Sequence, residues 1–196
     1  DRYRFADVWA SLTRAPLALE TSLAAIPGVA AVETRVVADV TLVIEGLAEP
    51  AVGRLVSIPD RTEPRLDALH LREGRLPAYE RPNEVLVSEA FALARHIRPG
   101  DHLEAILGSR LQRLDIVGIA LSPEYVYSLP AGALFPDDER FGVMWMRRAG
   151  LEAAFDMKGA FNAVRLALES VASEPDVIAR VDRLLESYGG LGAYGR

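Results

Sequence analysis

Apolar residues Phe5, Val8, Trp9 and Leu12 recur at helical spacing, which predicts a first helix over Arg4 to Ala15. Pro16 suits the start of a second helix, carried by Leu17, Leu19, Leu23 and Ile26 and stopped by Pro27-Gly28. From Val32 to Ile44 the pattern changes. β-Branched residues crowd together and partly alternate, predicting one long strand with a bulge near Ala38-Asp39. The stretch "GLAEPAVG" turns the chain, and "RLVSIP" returns as a second strand.

Asp60 to Pro64 reads as a linker and "LREGRLP" as a turn. Next, "EVLVS" is a short strand, with Ser88 at the N-cap position of a helix from Glu89 to Ile97 that buries Phe91 and Leu93. "RPGD" ends that helix, with Gly100 as its left-handed terminator. "HLEAIL" and "RLQRLDIVGIAL" flank Gly108-Ser109 and predict an antiparallel pair. Ser122 to Arg140 is a long connection. Beyond it come a strand "FGVMWM", a short helix "RAGLEAAFDM" and a strand "FNAVRLAL". A final helix runs from Pro175 to Tyr188, capped by Ser173, with Val177, Val181, Leu184 and Leu185 inward. The fold class this predicts is α+β.

Composition narrows the function. The 196 residues are half apolar, which supports a folded core, and carry a net charge of −6 spread along the chain. Nucleic acid is not an expected partner, since phosphate binding needs a concentrated basic face. There is no cysteine, so disulfides and thiolate metal sites are excluded. No stretch reaches the ~20 apolar residues of a membrane span.

Candidate chemistry is thin. Ser88 in "VSEAF" lacks the G-x-S-x-G setting of a nucleophile elbow and reads as a cap. His70, His96 and His102 show no paired-ligand spacing, so no metal and no cofactor are expected. The carboxylates of "PDDER", Pro136 to Arg140, read as a solvated turn. The segment "SPEYVYSLPAGALF" stands out: Tyr125, Tyr127, Leu129 and Phe135 are candidates for contact with a partner or substrate, or for packing back on the sheet. A small hydrolase using Ser88 or Ser122 is a further reading, which silence against ester and peptide substrates would remove.

The run "EVLVSEAFALARHIRPGDHLEAILGSRLQRLDIVGI" resembles the extracytoplasmic module of FtsX-like ABC transporter permeases, the MacB-type periplasmic core domain. The matching positions are Ser88, Phe91, Gly100, Asp101 and Gly118, residues of fold rather than catalysis. "LAAIPGVAAVETRV", Leu23 to Val36, is similar to that family's N-terminal helix leading into its first strand. The resemblance implies a split porter-like α/β subdomain (residues 1–59 plus 141–196) with an inserted mostly-β subdomain (60–140). It implies a non-enzymatic domain between two membrane helices, with both chain ends on one side. Such a domain lies in the periplasm or extracytoplasmic space, anchored at the cell inner (plasma) membrane. It couples cytoplasmic ATP hydrolysis to substrate export or mechanical signalling. The implied partners are a cytoplasmic ATP-binding subunit, a second permease copy, and a substrate (lipoprotein, lipid or peptide) or periplasmic protein. The isolated domain is then expected to be monomeric or weakly dimeric. The alternative is a stand-alone periplasmic binding, adaptor or chaperone-like protein.

Overall fold

The stretch expected as an N-terminal helix is a strand, β1 (Val8–Pro16). The computed structural model describes residues 5–44, 50–125 and 137–196. Within it Ala6, Val8, Ala10 and Leu12 are buried in alternation, the two-residue period of a strand with one covered face. The alanines carry that period, and the helical spacing of Phe5, Val8, Trp9 and Leu12 merely runs across it. α1 (Leu19–Ala24) follows and buries Leu23. The one long strand expected from Val32 to Ile44 is two, β2 (Val29–Arg35) and β3 (Val37–Val43), and they belong to different sheets.

The chain forms two compact units. The first comprises Asp1–Val36, Pro64–Ala68 and Met157–Arg196; the second comprises Val37–Glu63 and Leu69–Asp156. These boundaries differ from the expected 1–59 plus 141–196 against 60–140. The reason is strand pairing. β4 (Ala51–Ile58) and β9 (Phe141–Arg147) run side by side in parallel, and β3 pairs with β4, so all three fall in the second unit.

The first unit adds β10 (Ala160–Leu168), α4 (Glu174–Leu185) and the short β11 (Tyr194–Gly195). Its four-stranded sheet has the order β11-β1-β10-β2, all antiparallel. Strand, helix, strand, strand, helix, strand in this order is the ferredoxin-like split β-α-β arrangement. α4 carries Val177, Val181 and Leu185 into a core with Val8, Leu12, Leu23, Phe161, Val164 and Leu166. Ser173 stands at its N-cap position, but its side chain makes no capping bond. At the sheet edge Trp9 stacks on Tyr194, with ring centroids 5.9 Å apart, and Arg196 lies over Phe5. The first and last described residues therefore lie together.

Pro64–Ala68 belongs to this unit through its own contacts. Leu66 is buried with Ala6 and Ala167. Arg35 donates to the Leu66 carbonyl at 2.7 Å and pairs with Glu33, whose other oxygen accepts from the Arg65 and Leu66 amides. The buried ion pair thus spends its remaining hydrogen-bonding capacity on the docked backbone, as a buried charge requires.

The second unit contains β3, β4, β5 (His70–Gly74), β6 (Glu84–Ser88), α2 (Glu89–Arg95), β7 (His102–Leu107), β8 (Arg110–Leu121), β9 and α3 (Arg148–Ala154). "LREGRLP", expected as a turn, begins within β5, whose last four residues are Leu71 to Gly74. The strand order β8-β6-β9-β4-β3-β7 closes on itself, because β7 also pairs with β8. β5 is added outside this ring, on the second half of β8. Gly108 and Ser109, both at positive φ, make the tight turn between β7 and β8. Inside the ring Met144 and Leu42 crowd the Cα of Gly53. The opposite face of the same strands carries a second apolar layer of Val56, Ile58, Leu86, Phe141, Val143 and Trp145.

Candidate functional site

The expected module from β6 to β8 forms, but several of its residues act otherwise than expected. Ser88 has the extended backbone of an N-cap, yet its side chain makes no capping bond. Its Oγ accepts instead from the Val143 amide at 3.2 Å, joining the end of β6 to β9. Phe91 is fully buried, and its ring lies against Gly142, where a Cβ would meet it at 2.6 Å. Leu93, expected inward, is 71% exposed. α2 is only two turns long, so one face suffices for Phe91 and Ala92, and Leu93 is left on the other.

His96 ends α2 in the left-handed conformation, at φ 57°. Gly100 does have positive φ, 103°, but it belongs to the next turn, where its amide donates to Ile116. Asp101 closes that turn: its Oδ2 accepts from the Arg98 amide at 2.7 Å, and its carbonyl accepts from Ile116. Gly118 sits where β8 passes beneath the end of β5. A Cβ there would meet the carbonyl oxygens of Glu73 and Arg75 at 2.8 Å.

Of the four candidate contact residues, Tyr127, Leu129 and Phe135 lie outside the described residues. Tyr125 closes a short turn, Pro123–Tyr125, after β8. Ser122 shapes it: its Oγ accepts from the Glu124 amide at 3.3 Å and its carbonyl from the Tyr125 amide. The Tyr125 ring meets Trp145 edge-on, with centroids 6.2 Å apart, and helps cover the second apolar layer. So this tyrosine packs back on the sheet. Trp145 is fully buried, and among the described residues its Nε1 finds no hydrogen-bond acceptor.

Charge in this unit is organised in pairs. Arg75 grips Glu84 with two bonds of 2.6 Å, and the Ala78 amide adds a third at 2.9 Å. The guanidinium bonds hold the Glu84 carboxyl below the usual range, with the Ala78 amide helping, against the opposing effect of burial. Arg54 forks onto Asp39 at 2.8 Å, which raises its pKa further, and it also lies over the Phe141 ring. Arg147 donates to the carbonyls of Pro59, Thr62 and Pro77, tying the connection after β4 to the connection between β5 and β6 at the end of β9. Among the described residues no three His, Asp or Glu side chains come together as a metal site.

No protein-family model and no curated protein matches the sequence. Solved structures do. The extracellular domain of the noncanonic ABC-type transporter YknZ from Gram-positive bacteria superposes with a TM-score of 0.56 at 15% identity, covering 94% of this chain and 97% of that one. The periplasmic region of MacB from Actinobacillus actinomycetemcomitans gives a TM-score of 0.56 at 9% identity, covering 96% and 88%. A domain of a Porphyromonas gingivalis protein described as a permease gives 0.50 at 13%, covering 98% and 90%. The chain has the MacB-type extracytoplasmic fold. At these identities the likeness is one of fold. In the terms of that fold, Ser88, Phe91, Asp101 and Gly118 form joints of the second unit. Sequence reading missed two positions, Arg75 and Glu84. They are nine positions apart, and the β5–β8–β6 pairing brings the residue just after β5 to the start of β6.

Proposed function

We propose that this chain is the extracytoplasmic domain of an ABC transporter permease, with no catalysis of its own. It carries the motion produced by cytoplasmic ATP hydrolysis outward, to export a substrate or to signal across the membrane. One observation carries the reading: a closed β-ring unit is inserted between the second and third strands of a ferredoxin-like unit, and the solved structures that share the overall fold over most of their length include an extracellular domain of an ABC-type transporter and the periplasmic region of MacB. The pairing of β1 with β11 supports it, since a domain threaded between two membrane segments needs its two ends together. The partners follow from the reading: a cytoplasmic ATP-binding subunit, a second permease copy, and a substrate or extracytoplasmic protein.

These 196 residues contain no cysteine, so a single Cys placed here reports on this domain once any cysteines elsewhere in the full-length gene product are replaced. Val171, 89% exposed, is replaced by Cys in the full-length gene product. In intact cells a membrane-impermeant maleimide should label this position, and an ATP-binding subunit should co-purify with the membrane fraction. Labelling only after permeabilisation overturns the reading. Labelled protein that is soluble outside the membrane favours the stand-alone binding protein instead.

A further inference from the structure

A cavity of about 910 Å³ lies at one mouth of the closed ring, where β7 and β9 end and β8 begins. Strand register fixes which side chains face it. Leu42, inside the ring, pairs with Ala105, and Ala105 pairs with Gln112. Two residues on, the buried Leu107 pairs with Arg110. Gln112 and Arg110 therefore continue the inner face of β8 beyond the buried Leu114 and Ile116, out to the mouth. Met146 follows Met144 on the inner face of β9. The far wall is α3. A Cβ on its Gly150 would meet the Pro82 carbonyl oxygen at 2.8 Å, and one on Gly108 would press on the Ala154 carbonyl. The helix thus reaches from the residues before β6 to the β7–β8 turn, and Ala149 and Ala153, both exposed, keep the space beside it open.

We propose that this cavity binds an uncharged saccharide of about two rings. Three observations select that class. First, the mouth of a closed β-ring is a preferred place for small-molecule sites, and the volume falls in their usual range of about 300–1,000 Å³. Second, the charges of the described lining are one cation, Arg110, and one anion, Asp156. Among the described residues neither side chain is bonded to another. An anionic ligand would face Asp156 and a cationic one Arg110, so neither gains from the pair. Third, the hydrogen-bonding groups are of mixed kind. Arg110 only donates, Asp156 only accepts, and the carboxamides of Asn83 and Gln112 do both. A sugar hydroxyl is itself both donor and acceptor, so a ring of hydroxyls satisfies every member of this set. Pro82, Phe155 and the two alanines supply apolar surface for the C–H face of a sugar ring. The inference rests on the ring and α3 alone and stands apart from the permease reading.

The test is saturation-transfer NMR on the intact chain with cellobiose, maltose, lactose and diacetylchitobiose, and with glycylglycine and inorganic phosphate beside them. At least one disaccharide should bind with a Kd of about 1 mM or tighter. Arg110→Ala and Gln112→Ala should each weaken it about tenfold. Ala153→Trp fills the space from α3 without removing a polar group and should abolish binding. Leu111→Glu, altered at an exposed leucine on the outer face of β8, should bind as wild type does. Arg110, Leu111 and Ala153 are exposed, so their variants should keep the wild-type circular dichroism. No disaccharide bound at about 20 mM, or binding that survives Ala153→Trp, overturns the proposal. Glycylglycine bound more tightly than every sugar marks a zwitterion site, and phosphate so bound marks an anion site; either overturns the saccharide assignment.

Discussion

Oδ2 of Asp67 accepts a hydrogen bond from Nε1 of Trp9 at 3.2 Å, across 58 positions of the chain. Its Oδ1 accepts from the Ala6 amide at 3.0 Å. Asp67 is almost wholly buried and holds a positive φ of 50°. A short carboxylate tolerates that backbone better than most residues and satisfies two donors that would otherwise be buried unpaired. Asp67→Ala should destabilise the first unit by about 2–4 kcal/mol. Asp67→Asn, which keeps one acceptor and the tolerance for positive φ, should cost about half as much. Urea unfolding followed by tryptophan fluorescence measures both.

Arg75 and Glu84 make a pH-dependent contribution whose sign is fixed. The folded state depresses the Glu84 pKa, so its stabilisation is complete above the unfolded value, about 4.3, and is lost as the pH falls through the lower folded value. Glu84→Gln should therefore cost about 1–2 kcal/mol at neutral pH. That difference should shrink only below about pH 4, where the wild-type carboxyl also becomes neutral. Denaturation midpoints of the two proteins across pH 2–7 should converge at the acid end, to within ~0.5 kcal/mol. Parallel curves would contradict the assignment.

Two glycines of the module separate crowding from backbone strain. At Gly118 a methyl group would press on two carbonyl oxygens and on Leu86. At Gly100 it would meet nothing within 4 Å, and only the φ of 103° opposes it. Gly118→Ala should cost about 2–3 kcal/mol and loosen β5, seen as faster amide exchange at Glu73. Gly100→Ala should cost about 1–2 kcal/mol without that local loosening.

Tyr125 shields Trp145. Tyr125→Ala should remove an aromatic edge contact and part of the cover of a buried indole, at about 1–2 kcal/mol. It should also weaken the near-ultraviolet circular dichroism of the tryptophans and shift their emission to the red. An unchanged spectrum would show that the ring is dispensable to the layer beneath it.

What could be read from the sequence was what local pattern controls. β6, α2, β7 and β8 form about where alternation, the apolar face and the glycine turn place them. The α4 face of Val177, Val181 and Leu185 likewise follows its spacing. β1 was hidden because its covered positions include Ala6 and Ala10, which contribute little to an apolar count although the sheet needs them. The break at Val36 was hidden because the chain leaves one sheet and enters another without a turn residue. Ser88 shows the limit for single side chains. Its type and position suited a cap, but β9 passes close enough to offer an amide, and nothing local records that approach. Leu93 was misassigned for the opposite reason: apolar character says what a residue can bury, not whether the fold has room for it.

The insertion also sets an order of assembly. Among the described residues β2 pairs only with β10, so Arg35 waits for Ala163, and the central strand of the ferredoxin-like sheet leaves the ribosome after every strand of the closed ring. The second unit can form its ring while the first exists only as β1, α1 and β2, a fragment with apolar faces and no middle strand. Closing so long a loop is slow, and N-terminal parts ordinarily fold first during synthesis. Here the N-terminal segment is the one that must wait. Pulse-labelled amides of Val85 and Leu86 should become protected before those of Val32 and Thr34, and a nascent chain stalled before β10 should expose its first strands to chaperones.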